Sequence, residues 1–149
     1  RRSDVALTDC TVRDNDADFY GGIYGEDASL TLTRCLVRGN DVYNLRAPRV
    51  EATDSTFFQS SQGMANESCP DVVVARCRFE ECGNGWLGGG LRNRNSTVAV
   101  VASVFARNNA VRGAAIHSAS GTVAIVGCLV VDNANPVTDP SRLADAMGG

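Results

Sequence analysis

Five residues of this 149-residue chain could together hold a ligand: Tyr24, Arg46, Trp86, Arg92 and His117. Aromatic faces stack on sugar rings or apolar surfaces, and an arginine fork receives a carboxylate in two parallel hydrogen bonds. Tyr24, Arg46, Arg92 and His117 each follow one member of an apolar series, Ile23, Leu45, Leu91 and Ile116. With Ala65 after Met64, they line up along one outward face. Trp86, Tyr20 and Tyr43 fall in the loops just before that series. There they either widen a binding surface or fold back over the core as anchors, and folding back is the plainer reading for Trp86 and Tyr20. His117, the only histidine, reads as an exposed strand residue before it reads as a base or a metal ligand.

Other chemistry is poorly served. Hydrolysis of a glycosidic bond needs two carboxylates at a set separation. Here Asp9, Arg34, Asp54 and Arg76 alternate in sign at equivalent positions, as do Glu81, Arg107 and Asp132, which suits charge ladders between neighbouring strands. Lysine is absent altogether. We therefore expect no catalytic residue, no metal and no cofactor. Of the six cysteines, Cys10, Cys35, Cys77 and Cys128 share one inward column with Ser55 and Ser103 and suit buried thiols. Cys69 and Cys82 lie outside that column and could bridge to pin the loops of their coil. Asn66 and Asn95 head two glycosylation sequons, Asn66-Glu67-Ser68 and Asn95-Ser96-Thr97, both in expected loops.

The elements that must carry these residues are written as a repeat. VALTDCTVRDN (5–15), LTLTRCLVRGN (30–40), VEATDSTFFQS (50–60), VVVARCRFEEC (72–82), VAVVASVFARN (98–108) and VAIVGCLVVDN (123–133) are six copies of one pattern. Their Cys/Ser positions are 25, 20, 22, 26 and 25 residues apart. Such a period marks a solenoid. Val5, Leu30, Val50, Val72, Val98 and Val123 align, and two residues on so do Leu7, Leu32, Ala52, Val74, Val100 and Ile125, the alternation of a strand. The phase breaks at Asp9 and its equivalents and resumes at the Cys/Ser column, so each copy is two strands meeting at a bend.

Beyond the Val12/Val37/Phe57/Phe79/Phe105/Val130 column stand Asn15, Asn40, Ser60, Cys82, Asn108 and Asn133. Stacked at strand spacing, Asn15, Asn40, Asn108 and Asn133 can form an amide ladder. The third apolar series follows, with Gly21-Gly22, Gly89-Gly90 or Ala114-Ala115 before it where bulk is excluded. The fold expected is all-β: a right-handed, single-stranded parallel β-helix of about six rungs of three short strands, 3–28, 29–49, 50–71, 72–96, 97–121 and 122–149. The whole of 1–149 is one β-helix segment, expected to be an excerpt of a longer chain. The irregular stretches are Tyr43–Arg49, Gln59–Pro70 and the flexible loop Gly83–Gly90, which leave Met64 the least supported inward residue.

Net charge is −3 and no basic stripe gathers on one element, which argues against nucleic acid. No apolar run reaches the length of a membrane span.

Phe105-Ala106-Arg107-Asn108 followed by Gly113-Ala114-Ala115-Ile116 resembles the FxxN and GGAI repeat pair of the polymorphic outer membrane protein family. Val12–Asn15 with Gly21-Gly22-Ile23 is a looser copy, and Phe79–Cys82 with Gly89-Gly90-Leu91 replaces the Asn by Cys. The second and third copies lack the glycine half. More widely, residues 3–133 are similar to right-handed β-helices with a pectin-lyase-like fold. The resemblance implies an extracellular or cell-surface passenger, stalk or adhesin, whose partners would be other repeats of its own chain, neighbouring surface proteins or glycans. The expected role is structural or adhesive, with a carbohydrate- or partner-binding module as the alternative and a polysaccharide lyase or hydrolase behind both.

Overall fold

Strands of three to six residues whose inward side chains are Val, Leu, Ile or Phe cannot bury themselves alone. They must stack copy on copy, and they do. The computed structural model describes residues 3–16, 21–83 and 86–135. The first coil holds β1 (Ser3–Thr8), β2 (Thr11–Arg13) and β3 (Ile23–Glu26). The second holds β4 (Ala28–Thr33), β5 (Leu36–Arg38) and β6 (Val42–Leu45), and the third β7 (Val50–Thr53), β8 (Thr56–Phe58) and β9 (Met64–Glu67). The fourth runs β10 (Val72–Ala75), β11 (Arg78–Glu80) and then β12 (Leu91–Val101), which continues without a break into the fifth. β13 (Val104–Ala106), β14 (Ile116–Val126), which likewise continues, and β15 (Leu129–Val131) complete five coils and two strands of a sixth. Every pairing is parallel. β2, β5, β8, β11, β13 and β15 form one six-stranded sheet, and the other two strand columns are fused by β12 and β14 into a nine-stranded one.

The register aligns the repeat as the sequence does. Val5 faces Leu30, Leu30 faces Val50, Val50 faces Val72, Val72 faces Val98 and Val98 faces Val123. In the second sheet Phe57, Phe79 and Phe105 stack ring on ring at 4.4 and 4.8 Å, within 3° of parallel and 0% exposed. Offset stacks of this kind add to the burial of their area. Val5 and Ile125, inward positions of the outermost coils, are about half exposed because each is covered on one side only.

One inward assignment differs. The third column is Ile23, Val42, Met64, Leu91 and Ile116, so Val42 rather than Leu45 is the inward residue of the second coil. The coil is shorter here, with a spacing of 20 residues, and its Asp41 stands where other copies carry Gly or Ala. Close packing explains that preference: a Cβ at Gly22 would lie 2.4 Å from the Asp41 carbonyl oxygen, and one at Gly90 would lie 2.7 Å from that of Ala115. Met64 is inward and 0% exposed.

The corners are tight. Among the described residues, all fifteen non-glycine residues with positive φ sit at them, in three columns: Asp9, Arg34, Asp54, Arg76 and Ala102; Asp14, Gln59, Glu81, Arg107 and Asp132; Asp27, Arg46, Ser68, Asn95 and Ser120. At the first corner column the backbone ladder reverses sense. Arg34 donates its N–H forward to Thr53 O at 3.0 Å, whereas Leu36 donates backward to Cys10 O at 2.9 Å. The N–H between them, on Cys35, is taken by Ser55 Oγ of the next coil at 3.0 Å. Cys77 N–H to Ser103 Oγ (3.1 Å), Cys69 N–H to Ser96 Oγ (3.1 Å) and Cys82 N–H to Asn108 Oδ1 (3.0 Å) repeat the device at all three corners. Where a small polar side chain follows the left-handed residue, it can satisfy an N–H that the ladder leaves over; Ala28, Ala47 and Gly121 follow Asp27, Arg46 and Ser120.

Truncating the middle ring of the stack should cost most. Phe79→Ala is expected to destabilise the fold by about 3–5 kcal/mol, read as a lowered midpoint in urea unfolding. Leu36→Ala, on a partly exposed outward position, should move the midpoint far less.

Candidate binding face

The third column of strands presents its outward face as Tyr24, Tyr43, Ala65, Arg92 and His117, paired residue to residue across β3, β6, β9, β12 and β14. Four of the expected members stand there. Arg46 does not: the earlier start of β6 moves it into a corner, and Tyr43 takes its place. Tyr43 is 8% exposed, with its ring 5.9 Å from that of Tyr24 and nearly parallel at 13°. The two phenols reach along the sheet, Tyr24 Oη donating to Glu26 at 3.0 Å and Tyr43 Oη to Glu67 at 2.8 Å. Trp86 is 57% exposed, and its carbonyl accepts the Arg112 N–H at 2.9 Å. Tyr20 lies outside the described residues.

Arg92 and His117 sit side by side on successive coils. The loop before each closes down on it at a left-handed glycine, Gly88 and Gly113, where a Cβ would come within 2.6 Å of the Arg92 Cβ and 2.8 Å of the His117 Cβ. Burial, then the charges of Arg92 and Arg112, lower the His117 pKa from its ordinary value.

Arginines engage several corner carboxylates elsewhere. Arg34 forks onto Asp9 at 2.6 and 2.7 Å, Arg76 onto Asp54 at 2.7 and 2.8 Å, and Arg46 onto Asp27 at 2.9 Å through both nitrogens while also reaching Glu26. These hydrogen bonds hold the carboxyls of Asp9, Asp54 and Asp27 below the usual range. In the second corner column Arg107 contacts Glu81 at 3.5 Å and also Glu80. Among the described residues no three His, Cys, Asp or Glu side chains gather as a metal set.

Amides line the coil in two columns, one at a corner and one along a strand. Asn15 Nδ2 donates to Asn40 Oδ1 at 2.9 Å and Asn108 Nδ2 to Asn133 Oδ1 at 2.8 Å, with Ser60 and Cys82 interrupting the column between them. A second ladder lies under the third strand column, with no repeat signature in the sequence to announce it. Asn44 Nδ2 donates to Asn66 Oδ1 at 2.9 Å, and Asn66 Nδ2 to Asn93 Oδ1 at 3.0 Å. Asn66 is therefore not a surface glycan acceptor: it is 1% exposed and both ends of its amide are engaged. Asn95 is exposed, at a left-handed corner. The ladder ends unpartnered at Asn44 Oδ1 and Asn93 Nδ2.

No Cys69–Cys82 bridge forms. The two residues occupy different corners, and both thiols are free and buried. Cys69 Sγ donates to Glu67 O at 3.4 Å and Cys82 Sγ to Phe57 O at 3.4 Å. Burial raises the Cys69 thiol and pushes Cys77 and Cys82 up to about 11.

Residues 1–139 match the family model for the right handed beta helix region. No curated protein and no solved structure matches the chain. The family match speaks for the β-helix class as a whole, not for its outer-membrane repeat subset.

Two measurements check these assignments. Asn66→Ala leaves Asn44 Nδ2 and Asn93 Oδ1 buried without partners and should cost about 2–4 kcal/mol by urea unfolding, whereas Asn95→Ala should be nearly neutral. At pH 8 a disulfide-exchange thiol reagent should react quickly with the partly exposed Cys10 and Cys128 alone, and with all six thiols after denaturation.

Proposed function

Because the chain belongs to the right-handed β-helix family, whose fold supports structural and binding repeat modules, we propose that it serves as a rigid, non-catalytic spacer in a secreted or surface-displayed protein. One observation carries this reading: the hydrogen-bond ladder passes through every corner column and couples each coil to the next. Continuous coupling resists bending along the stack, as a stalk or fibre element requires. The arginine–carboxylate pairs support the same reading. Asp9, Asp27 and Asp54 are each held by an arginine fork, and a carboxylate so held is a poor base or nucleophile.

Right-handed β-helices also include enzymes acting on uronate polymers, so the rival reading is a lyase or hydrolase. It would need acids free to ligate a cation or to flank a scissile bond. A further alternative, binding of a glycan or a protein through the outward third-column face, rests on Tyr24, Arg92, Trp86 and His117.

Proteomic fractionation of the producing cell is expected to find the chain in secreted or surface fractions. Recovery from cytosol alone would remove the proposal, as would turnover of polygalacturonate or alginate by the purified chain.

A further inference from the structure

Where β12 and β14 lie side by side, Leu87, Arg92, Asn93, Arg94, His117 and Ala119 surround an open recess of about 170 Å³. Arg92 in it differs from most arginines of the rod; Arg38 also lacks a carboxylate among the described residues but lies over the Phe58 ring at 5.8 Å. Arg34, Arg46 and Arg76 each fork onto a carboxylate, and Arg94 is held by Glu67 at 3.3 Å. Arg92 has no such partner among the described residues. Its neighbours up and down the column are Ala65 and His117, so the repeat supplies no acid where the ladder logic would place one. Asn93 borders the same recess from between Arg92 and Arg94 on β12, its own side chain turned inward to the amide ladder. In a chain of net charge −3, this hollow is locally positive.

We propose that the recess is a binding site for one carboxylate group of a small acidic ligand, received by the Arg92 guanidinium with the His117 ring beside it. A guanidinium fork matches a planar carboxylate with two parallel N–H···O bonds. One unneutralised cation balances one negative charge, whereas a phosphate dianion would leave a charge over. Leu87 and Ala119 supply an apolar wall for the carbon that bears the carboxylate. The charged groups facing His117 are Arg92 and Arg94 on β12 and Arg112 in the preceding loop, and no carboxylate lines the recess. A bound carboxylate offsets the cations that lower the His117 pKa, so occupancy raises it. This goes beyond a spacer role and does not depend on it.

Because the chain has a single histidine, its ring-proton NMR signals report on this site alone. The probes are glucuronate, with its carboxylate on a sugar, N-acetylglutamate, with its carboxylates on an amino acid, inorganic phosphate, and glucose as the uncharged control. We expect a saturable shift of the His117 resonances and a raised pKa with at least one carboxylate, and no response to glucose. The carboxylate that binds more tightly identifies the source of the group. In Arg92→Gln, binding should be weaker by about tenfold or more, the loss of charged hydrogen bonds, with an unchanged urea midpoint. Arg38→Gln, remote from the recess, should bind as the parent does. No saturable response to either carboxylate overturns the proposal. So does an equal response in Arg92→Gln, or phosphate binding as tightly as both carboxylates.

Discussion

Everything in this rod depends on making a sharp turn without losing a hydrogen bond. A parallel ladder can run along a strand indefinitely, but a corner reverses the direction in which N–H groups point and leaves one over. The left-handed residue turns the chain, and a small polar residue after it accepts the spare N–H of the preceding coil. Left-handed φ costs roughly 1–2 kcal/mol for a residue with a Cβ. Fifteen such residues among those described are tolerated here because the stacked coils on either side determine the geometry more strongly than local preference does.

That constraint explains the composition of the columns. Cys, Ser and Asn occur together because the position asks for a small side chain with a hydrogen-bonding atom, and it is indifferent to which one. A corner residue with φ near 50–60° turns its side chain to solvent, so Asp, Glu and Arg collect there, and opposite signs on adjacent coils close into pairs. These pairs are exposed and each contributes little. The stacked Phe57, Phe79 and Phe105 and the flanking valine rows carry the larger share of the stabilisation through apolar burial.

The third strand column departs furthest from the repeat. Its inner side carries a buried amide ladder with two unpartnered ends, and its outer side runs from a tyrosine stack to an arginine without a carboxylate. A purely architectural rod has no use for an unbalanced charge at the one place where two loops fold down beside it. For that reason the face beside Arg92 and His117 is where recognition is best sought, while most corner arginines are paired with carboxylates.

Most of the architecture was legible in the residues. Period-two alternation and six aligned copies specify strands, coils and the inward rows, because an in-register stack obliges equivalent positions to share one environment. The phase break at Asp9 and its equivalents even located the first of the three corners. Legibility failed where the copies lose their glycines. Val42, not Leu45, turned inward, which exchanged Arg46 for Tyr43 on the outer face. Asn66 looked like a glycan acceptor in a loop, yet with Asn44 and Asn93 it forms a buried ladder. Cys69 and Cys82 looked like partners and lie at different corners. These outcomes depend on how many residues each connection uses to return to the stack, and single-residue changes there shift which side chain faces in. Local pattern determined the coil; only the closed ring of three corners decided which polar groups it would bury.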